Sequence, residues 1–134
     1  MLGIGTDILQ LSRIEDVMKR QGEKFARRIL TGNEMLDYQK HSQPQRMLAK
    51  RFAIKEAVGK ALGTGIGQGV SWQHIEVVHN EVGAPAIELS GRALDIANDK
   101  GGQKVMISVS DEKEYVVAFA ILLPSAQEAK KESK

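Results

Sequence analysis

The longest helical pattern of the chain covers residues 44–63, PQRMLAKRFAIKEAVGKALG. Ala, Leu, Met, Lys and Arg favour a helix, and the proline at its start suits a first helical turn. At about 100° per residue, Arg51 and Lys55 fall on one side, and Glu56 and Lys60 fall on nearly the opposite side. The remaining positions are mostly apolar. We therefore expect this helix to be buried on more than one face.

Apolar runs and turn residues predict the other elements. Strands are expected at residues 2–10, 75–78, 86–89, 105–110 and 115–122. Short helices are expected at residues 12–20, 23–30, 35–41 and 92–100. Two capping boxes indicate helix starts, Ser12 with Glu15 and Thr31 with Glu34. The order of strand, helices, hairpin, helix and hairpin predicts an α+β fold, with a largely antiparallel sheet packed on the long central helix.

Length and composition limit the classes of protein that fit. The 134 residues suit a single domain, residues 1–126, followed by a polar tail at residues 127–134. The net charge is only +2, and aromatic residues make up 4%, so few side chains could stack on bases. The absence of cysteine excludes disulfides and thiolate metal sites. With no signal-peptide pattern and no membrane-length apolar run, we expect a cytoplasmic protein without nucleic-acid or membrane partners.

Two acids stand in apolar surroundings. Asp7 interrupts the first strand and shares a face with Gly3 and Gly5 by the two-residue period of a strand. It is either a turn residue at the end of the strand or a site residue, because a charge in an apolar strand is costly unless it is paired or metal-bound. Glu56 forms either an exposed ion pair with Lys60 or, among small apolar neighbours beside a glycine-rich loop, part of a metal site near a phosphate.

The glycine-rich loop follows the long helix and reads TGIGQG at residues 64–69. Its glycines alternate, and the loop comes after a helix, so it fits neither the dinucleotide-binding fingerprint nor the P-loop. It is either a helix cap with a flexible connection or a segment whose backbone N–H groups approach a pyrophosphate.

Several motifs, taken together, resemble the holo-acyl-carrier-protein synthase family of 4′-phosphopantetheinyl transferases. They are GIGTDI at residues 3–8, RRIL at 27–30, LAKRFAIKEAVGKALGTGIG at 48–67, GAP at 83–85 and ISVSDEKEYVVAFAIL at 107–122. The resemblance runs in order across about 120 residues and is most specific in the KEA and GTGIG core. It implies magnesium-dependent transfer of 4′-phosphopantetheine from coenzyme A to a serine of apo-acyl carrier protein, in fatty acid biosynthesis, with release of adenosine 3′,5′-bisphosphate. It also implies a homotrimer with active sites between subunits.

The resemblance assigns roles to individual residues. Asp7 and Glu56 would hold Mg²⁺, Lys60 would place charge beside the pyrophosphate, and either Glu56 or a metal-bound water would take the serine proton. The positions expected to bind coenzyme A are Arg51, as an anchor for an outer phosphate, together with Lys60, Gly63, Thr64, Gly65, Pro85, Ser110 and Asp111.

Asp111 departs from the commonest family pattern, which has a histidine after this serine. An ionised aspartate only accepts hydrogen bonds and repels phosphate. Asp111 is therefore either a third metal ligand, reached directly or through water, or an ordinary residue of the hairpin turn.

Basic residues are concentrated in the first two helices and suggest a partner surface. They form either a solvated helix face or a docking surface for a strongly acidic carrier protein. By resemblance, the docking positions are Arg13, Arg20, Lys24, Phe25 and Arg28. The competing class of function is a non-enzymatic module that binds an acidic partner through these helices. The last strand, YVVAFAILL, is apolar on both faces, which predicts a subunit interface.

Overall fold

The computed structural model describes residues 1–126, so the predicted tail at 127–134 lies outside the described residues. Helices lie at α1 (Leu11–Gln21), α2 (Glu23–Ile29), α3 (Gly32–Lys40), α4 (Pro44–Leu62) and α5 (Gly91–Asp99). Strands lie at β1 (Gly3–Gln10), β2 (Ile75–His79), β3 (Pro85–Leu89), β4 (Gly102–Asp111) and β5 (Tyr115–Pro124). A short 3-10 turn, Trp72–His74, precedes β2.

The strands form two antiparallel groups. One sheet has the order β1, β5, β4, and β2 pairs with β3 in a separate hairpin. In the larger sheet, Asp7 of β1 lies opposite Ala118 of the central strand. This arrangement confirms the predicted α+β fold with its largely antiparallel sheet, and it places Asp7 within a strand rather than in a turn.

The long helix α4 packs directly on β1 because two glycines let the backbones approach each other. A Cβ atom on Gly3 would lie 1.9 Å from the carbonyl oxygen of Ala61, and one on Gly5 would lie 2.0 Å from that of Ala57. Side chains at these positions would push the helix away from the strand. The same face of β1 carries Asp7, so the close approach brings its carboxylate to the helix.

Helix α4 is buried around most of its circumference, as its apolar pattern predicts. Its buried residues are Met47, Leu48, Ala49, Arg51, Ala53, Ile54, Lys55, Ala57, Val58, Gly59, Ala61 and Leu62. Two of these side chains are cationic, which the sequence pattern did not predict. The helix begins at Pro44 and ends at Leu62, and the next residue, Gly63, caps it in the left-handed conformation with φ of 86°.

A buried ion pair joins α4 to the rest of the chain. The ammonium group of Lys55, fully buried, donates to a carboxylate oxygen of Glu34, to the carbonyl of Ile29 at 2.7 Å and to that of Trp72 at 3.2 Å. Glu34 also accepts from the backbone N–H of Thr31 at 2.8 Å and of Val77 at 3.0 Å. Four segments, α2, α3, the 3-10 turn and β2, are thereby fixed around one point on α4.

Only one of the two predicted capping boxes is confirmed. Thr31 caps α3, with its hydroxyl accepting from the N–H of Glu34 and its own N–H donating to that side chain. The prediction for Ser12 and Glu15 is wrong, because α1 begins at Leu11 and has no side-chain cap. Strand β1 continues directly into α1, where the N–H of Leu11 donates to the carbonyl of Glu114 at 2.8 Å.

Within residues 1–126, no helix is long and apolar enough to cross a membrane.

We predict that Lys55→Met lowers the free energy of unfolding by about 3–5 kcal/mol, because the buried Glu34 loses its hydrogen-bonded counter-charge and keeps only Arg51, 3.9 Å away. Arg27→Met is the matched control, since the Arg27–Glu23 pair is exposed and such pairs contribute less than about 1 kcal/mol. Urea unfolding of both variants measures the difference. Equal losses of stability in the two variants would show that the buried pair does not hold the fold.

Candidate functional site

Asp7 and Lys60 meet between β1 and α4. The ammonium group of Lys60 lies 3.3 Å from Oδ1 of Asp7 and donates to the carbonyl of Thr6 at 2.8 Å. The side chain of Asp7 is 17% exposed, whereas that of Lys60 is 51% exposed. The acid therefore lies at the base of this site and the cation at its rim.

Glu56 lies one helical turn before Lys60 and is half-buried. The sequence suggested an ion pair between Glu56 and Lys60. Within residues 1–126 this pair does not form, because Lys60 pairs with Asp7 instead. Burial, followed by the charge of Asp7, raises the pKa of Glu56 above its ordinary value. The indole N–H of Trp72 and the charge of Lys60 lower the pKa by less. The structure thus places two carboxylates close enough to repel each other.

This donor set fits Mg²⁺. Within residues 1–126 there is no group of three or more His, Cys, Asp or Glu side chains that could hold a metal. Magnesium needs fewer, because it is commonly bound by one or two carboxylates and takes its remaining ligands from water and substrate phosphates. A divalent cation between Asp7 and Glu56 would also remove the repulsion that raises the pKa of Glu56.

The glycine-rich loop folds back against the end of α4. The N–H of Gly65 donates to the carbonyl of Gly59 at 2.9 Å, and the N–H of Gly63 donates to that of Lys60 at 3.0 Å. A Cβ at Gly59 would lie 3.0 Å from the backbone of Gly65, so a side chain there would require the loop to shift slightly. The helix-cap interpretation of Gly63 is confirmed. The backbone N–H groups of Gly63 and Gly65 are therefore occupied by bonds within the chain. A ligand would contact the surface of the loop and the side chain of Thr64 instead.

A basic groove of about 720 Å³ lies at the other end of α4. Its cationic lining residues are Lys40, Arg46, Lys50 and Arg51, and it also includes His41, His79, Asp37 and the predicted coenzyme A residue Pro85. Arg51 is only 8% exposed, and its guanidinium lies 3.5 Å from the carboxylate of Asp37. The groove is large enough for a nucleotide-sized ligand, and its charge suits a phosphate-bearing one.

Asp111 borders this groove and bridges two of its cations. Its carboxylate lies 2.7 Å from Arg46 and 3.3 Å from Lys50. The hydrogen bond from Arg46, followed by that from Lys50, holds the pKa of Asp111 below its ordinary value. Ser110, the preceding residue, is exposed. Asp111 therefore belongs to the groove, and within one chain it does not join Asp7 and Glu56.

The two clusters lie apart along and around α4. Arg46 and Lys60 are separated by 14 residues, which corresponds to about 21 Å along a helix. Arg51 and Ile54, which line the groove, point about 120–180° away from Glu56 and Lys60. One chain therefore presents a carboxylate cluster and a basic groove towards opposite ends of the same helix.

The predicted docking residues lie on the surface of α1 and α2. Arg13, Arg20, Lys24 and Arg28 are exposed, and Phe25 is partly buried. The ring of Phe25 packs at 6.0 Å on that of Phe52, which in turn lies 6.2 Å from the ring of Trp72. The guanidinium carbon of Arg28 lies 6.0 Å from the centre of the Trp72 ring. This aromatic cluster connects the basic surface to the neighbourhood of Glu56.

Sequence reasoning missed three groups of residues near these sites. In the sequence, Lys55 stands out as a cation on an otherwise apolar helix face, but no nearby residue identifies Glu34 as its partner. Arg46 and Lys50 are spaced i, i+4 on α4, which would have indicated one basic face. Trp72 gave no signal beyond its position shortly after the glycine-rich loop.

Residues 3–120 match the 4′-phosphopantetheinyl transferase superfamily. The chain belongs to this superfamily. A protein from Shewanella amazonensis named holo-[acyl-carrier-protein] synthase is 50% identical over 122 residues, which cover 91% of this chain and 98% of the relative. A relative of the same name from Yersinia pseudotuberculosis is 47% identical over 122 residues, 91% of this chain and 97% of its own.

Solved structures agree with this family. The holo-[acyl-carrier-protein] synthase of Neisseria meningitidis superposes with a TM-score of 0.85 at 43% identity, over 92% of this chain and 98% of the other. The enzyme of the same name from Helicobacter pylori, solved in complex with coenzyme A, gives a TM-score of 0.77 at 32% identity, over 90% and 99% of the two chains. The fold is therefore the phosphopantetheinyl transferase fold.

We predict that the metal-free protein loses stability as the pH rises above about 4.5, through the raised pKa of Glu56. In this window the folded chain binds more protons at Glu56 than the unfolded chain does, so the free energy of unfolding falls with rising pH. Glu56→Gln removes this titration and should give a flatter profile up to neutral pH. Chemical unfolding of both proteins in the presence of a chelator measures the two profiles, and parallel curves would contradict the prediction.

Proposed function

We propose that this protein is a magnesium-dependent holo-acyl-carrier-protein synthase that transfers 4′-phosphopantetheine from coenzyme A to a serine of apo-acyl carrier protein. The observation that supports this best is the convergence of Asp7, Glu56 and Lys60 at the end of α4, beside a glycine-rich loop. A non-enzymatic binding module would have no use for two carboxylates held close together at this point. Membership of the superfamily and the names of the relatives point to the same reaction.

The reaction is a phosphoryl-group transfer. The serine Oγ of the carrier attacks the β-phosphorus of coenzyme A, the bond from that phosphorus to the bridging oxygen breaks, and adenosine 3′,5′-bisphosphate leaves with the electron pair. Asp7 and Glu56 would hold Mg²⁺, which when bound stabilises the negative charge on the phosphate oxygens. Lys60, exposed at the rim, would place a second positive charge beside the pyrophosphate. Glu56 would be one acceptor for the serine proton, since positioned carboxylates act as general bases.

Coenzyme A would bind through both clusters. The pyrophosphate would lie at Lys60 and the loop residues Gly63, Thr64 and Gly65, whereas the basic groove with Arg51, Pro85, Ser110 and Asp111 would receive the adenosine and its 3′-phosphate. Four cationic side chains in the groove support this assignment. The Helicobacter pylori relative binds coenzyme A, and the Bacillus anthracis relative was solved in complex with coenzyme A as 3′,5′-ADP.

The protein would act as a homotrimer whose sites lie between subunits. The 3′-phosphate and the pyrophosphate of coenzyme A are attached to the same ribose, so the two clusters must come closer together than one chain places them. The outer face of the larger sheet offers a surface for association, because it exposes the large apolar side chains Ile4, Ile8, Met106, Tyr115 and Phe119. Exposed apolar patches of this kind are typical of protein interfaces.

The acyl carrier protein would dock on α1 and α2. Arg13, Arg20, Lys24 and Arg28 are free to meet an acidic partner because their side chains are exposed, and Phe25 provides an apolar contact beside them. Complementary charge of this kind raises the rate of encounter and is screened by salt. The surface adjoins the aromatic cluster next to Glu56, so a docked carrier would lie near the site of transfer.

We predict that Asp7→Asn reduces transfer at least about 100-fold with saturating Mg²⁺ and coenzyme A, because one of the two metal ligands is lost. Asp16→Asn, an exposed acid on α1, is the matched control and should keep near-normal turnover. Mass spectrometry of the carrier protein, which gains phosphopantetheine, measures the rate. Near-normal turnover of the Asp7→Asn enzyme would contradict the proposed metal site.

We also predict that two inactive variants complement each other in mixed trimers. Asp7→Asn disables the carboxylate cluster and Arg46→Glu disables the groove, so random mixing restores about a quarter of the shared sites if each is built from two chains. Asp7→Asn mixed with Glu56→Gln is the control, since both changes affect the same cluster and no intact site can form. Co-expression followed by the transfer assay measures the recovery, and recovery equal to that of the control would contradict shared sites.

A further inference from the structure

Trp72, the only tryptophan of the chain, is held firmly on its backbone side. It begins the 3-10 turn, where the hydroxyl of Ser71 accepts from the N–H of Gln73 at 3.1 Å. Its carbonyl accepts from the buried ammonium of Lys55 at 3.2 Å. Lys55 directly precedes Glu56 on α4, so the residue that holds Trp72 and the acid of the site are neighbours in the same helical turn.

The ring of Trp72 is also fixed on its faces. It lies 6.2 Å from the ring of Phe52 with an angle of 32° between the planes, and the guanidinium of Arg28 lies 6.0 Å from its centre. These contacts need only an aromatic surface, which a phenylalanine would also provide. They leave the role of the indole nitrogen unexplained.

The indole N–H of Trp72 has no partner of its own. Nε1 is buried and has no hydrogen-bond partner within residues 1–126, although buried indole nitrogens usually have one. Phe52, on which the ring packs, lies one helical turn before Glu56 on α4, and the indole N–H lowers the pKa of Glu56. The carboxylate of Glu56 is therefore the candidate acceptor for this donor.

We propose that Trp72 is a positioning residue of the site: its indole N–H holds one oxygen of Glu56, so that the other oxygen is directed at the metal beside Asp7. Partners of metal ligands act in this way in many proteins, because a ligand fixed before the metal arrives loses less freedom on binding. This inference rests on the proposed function. It assigns to Trp72 a role that its ring packing does not require.

The test is the affinity for Mg²⁺, measured by isothermal titration calorimetry in the presence of adenosine 3′,5′-bisphosphate. Trp72→Phe keeps an aromatic ring but removes the N–H, and it should weaken Mg²⁺ binding about 10-fold. Replacing Trp72 with 3-benzothienylalanine, which has the shape of tryptophan with sulfur in place of the N–H, should weaken binding equally and with less disturbance of packing.

Phe52→Leu is the matched control. It disturbs the same aromatic cluster without removing the N–H group, so it should lower Tm but weaken Mg²⁺ binding much less than Trp72→Phe does. Affinity equal to wild type in both Trp72 replacements would overturn the positioning role and leave the proposed function intact. A loss of affinity in Phe52→Leu as large as that in Trp72→Phe would also overturn it, since general loosening would then explain the effect. Wild-type protein without measurable Mg²⁺ binding would overturn the metal site itself, and the positioning role with it.

Discussion

The buried ion pair between Lys55 and Glu34 is the contact on which the arrangement of the chain around α4 depends. Neither charge reaches water, so each must be satisfied by the other and by backbone groups, with the buried guanidinium of Arg51 lying 3.9 Å from Glu34. The carbonyls of Ile29 and Trp72 and the N–H groups of Thr31 and Val77 supply those partners. Because the partners come from separate segments, satisfying one buried pair fixes how the first helices, the 3-10 turn and the smaller hairpin lie against the long helix.

The candidate site depends on this frame from two directions. On one side, Gly3 and Gly5 allow β1 to contact α4 closely enough for Asp7 to reach Lys60. On the other side, Lys55 holds the backbone of Trp72 beside Glu56. The two acids are thereby placed close together, where burial and then the charge of Asp7 raise the pKa of Glu56.

How much of the fold could be predicted depended on whether the determining contacts were local. The limits of α4 were predictable, because Pro44 suits a helix start and Gly63 a left-handed end. The capping box at Thr31 was predictable for the same reason. The box expected at Ser12 failed, because β1 runs directly into α1 and a backbone bond from Leu11 to the distant hairpin takes the place of a side-chain cap. A cap motif is thus neither required for a helix start nor sufficient evidence of one.

The sequence by itself determined the class of fold through its periodicity and the family through its motifs, and it singled out Asp7 and Glu56 as candidates because they are charges in apolar surroundings. Only the tertiary structure decided which partner each charge has. Lys60 pairs with Asp7 rather than with Glu56, Lys55 is buried against Glu34, and Asp111 binds cations of the groove. The physical reason is that local spacing determines which side of a helix or strand a residue occupies, whereas the group it meets there comes from a segment tens of residues away.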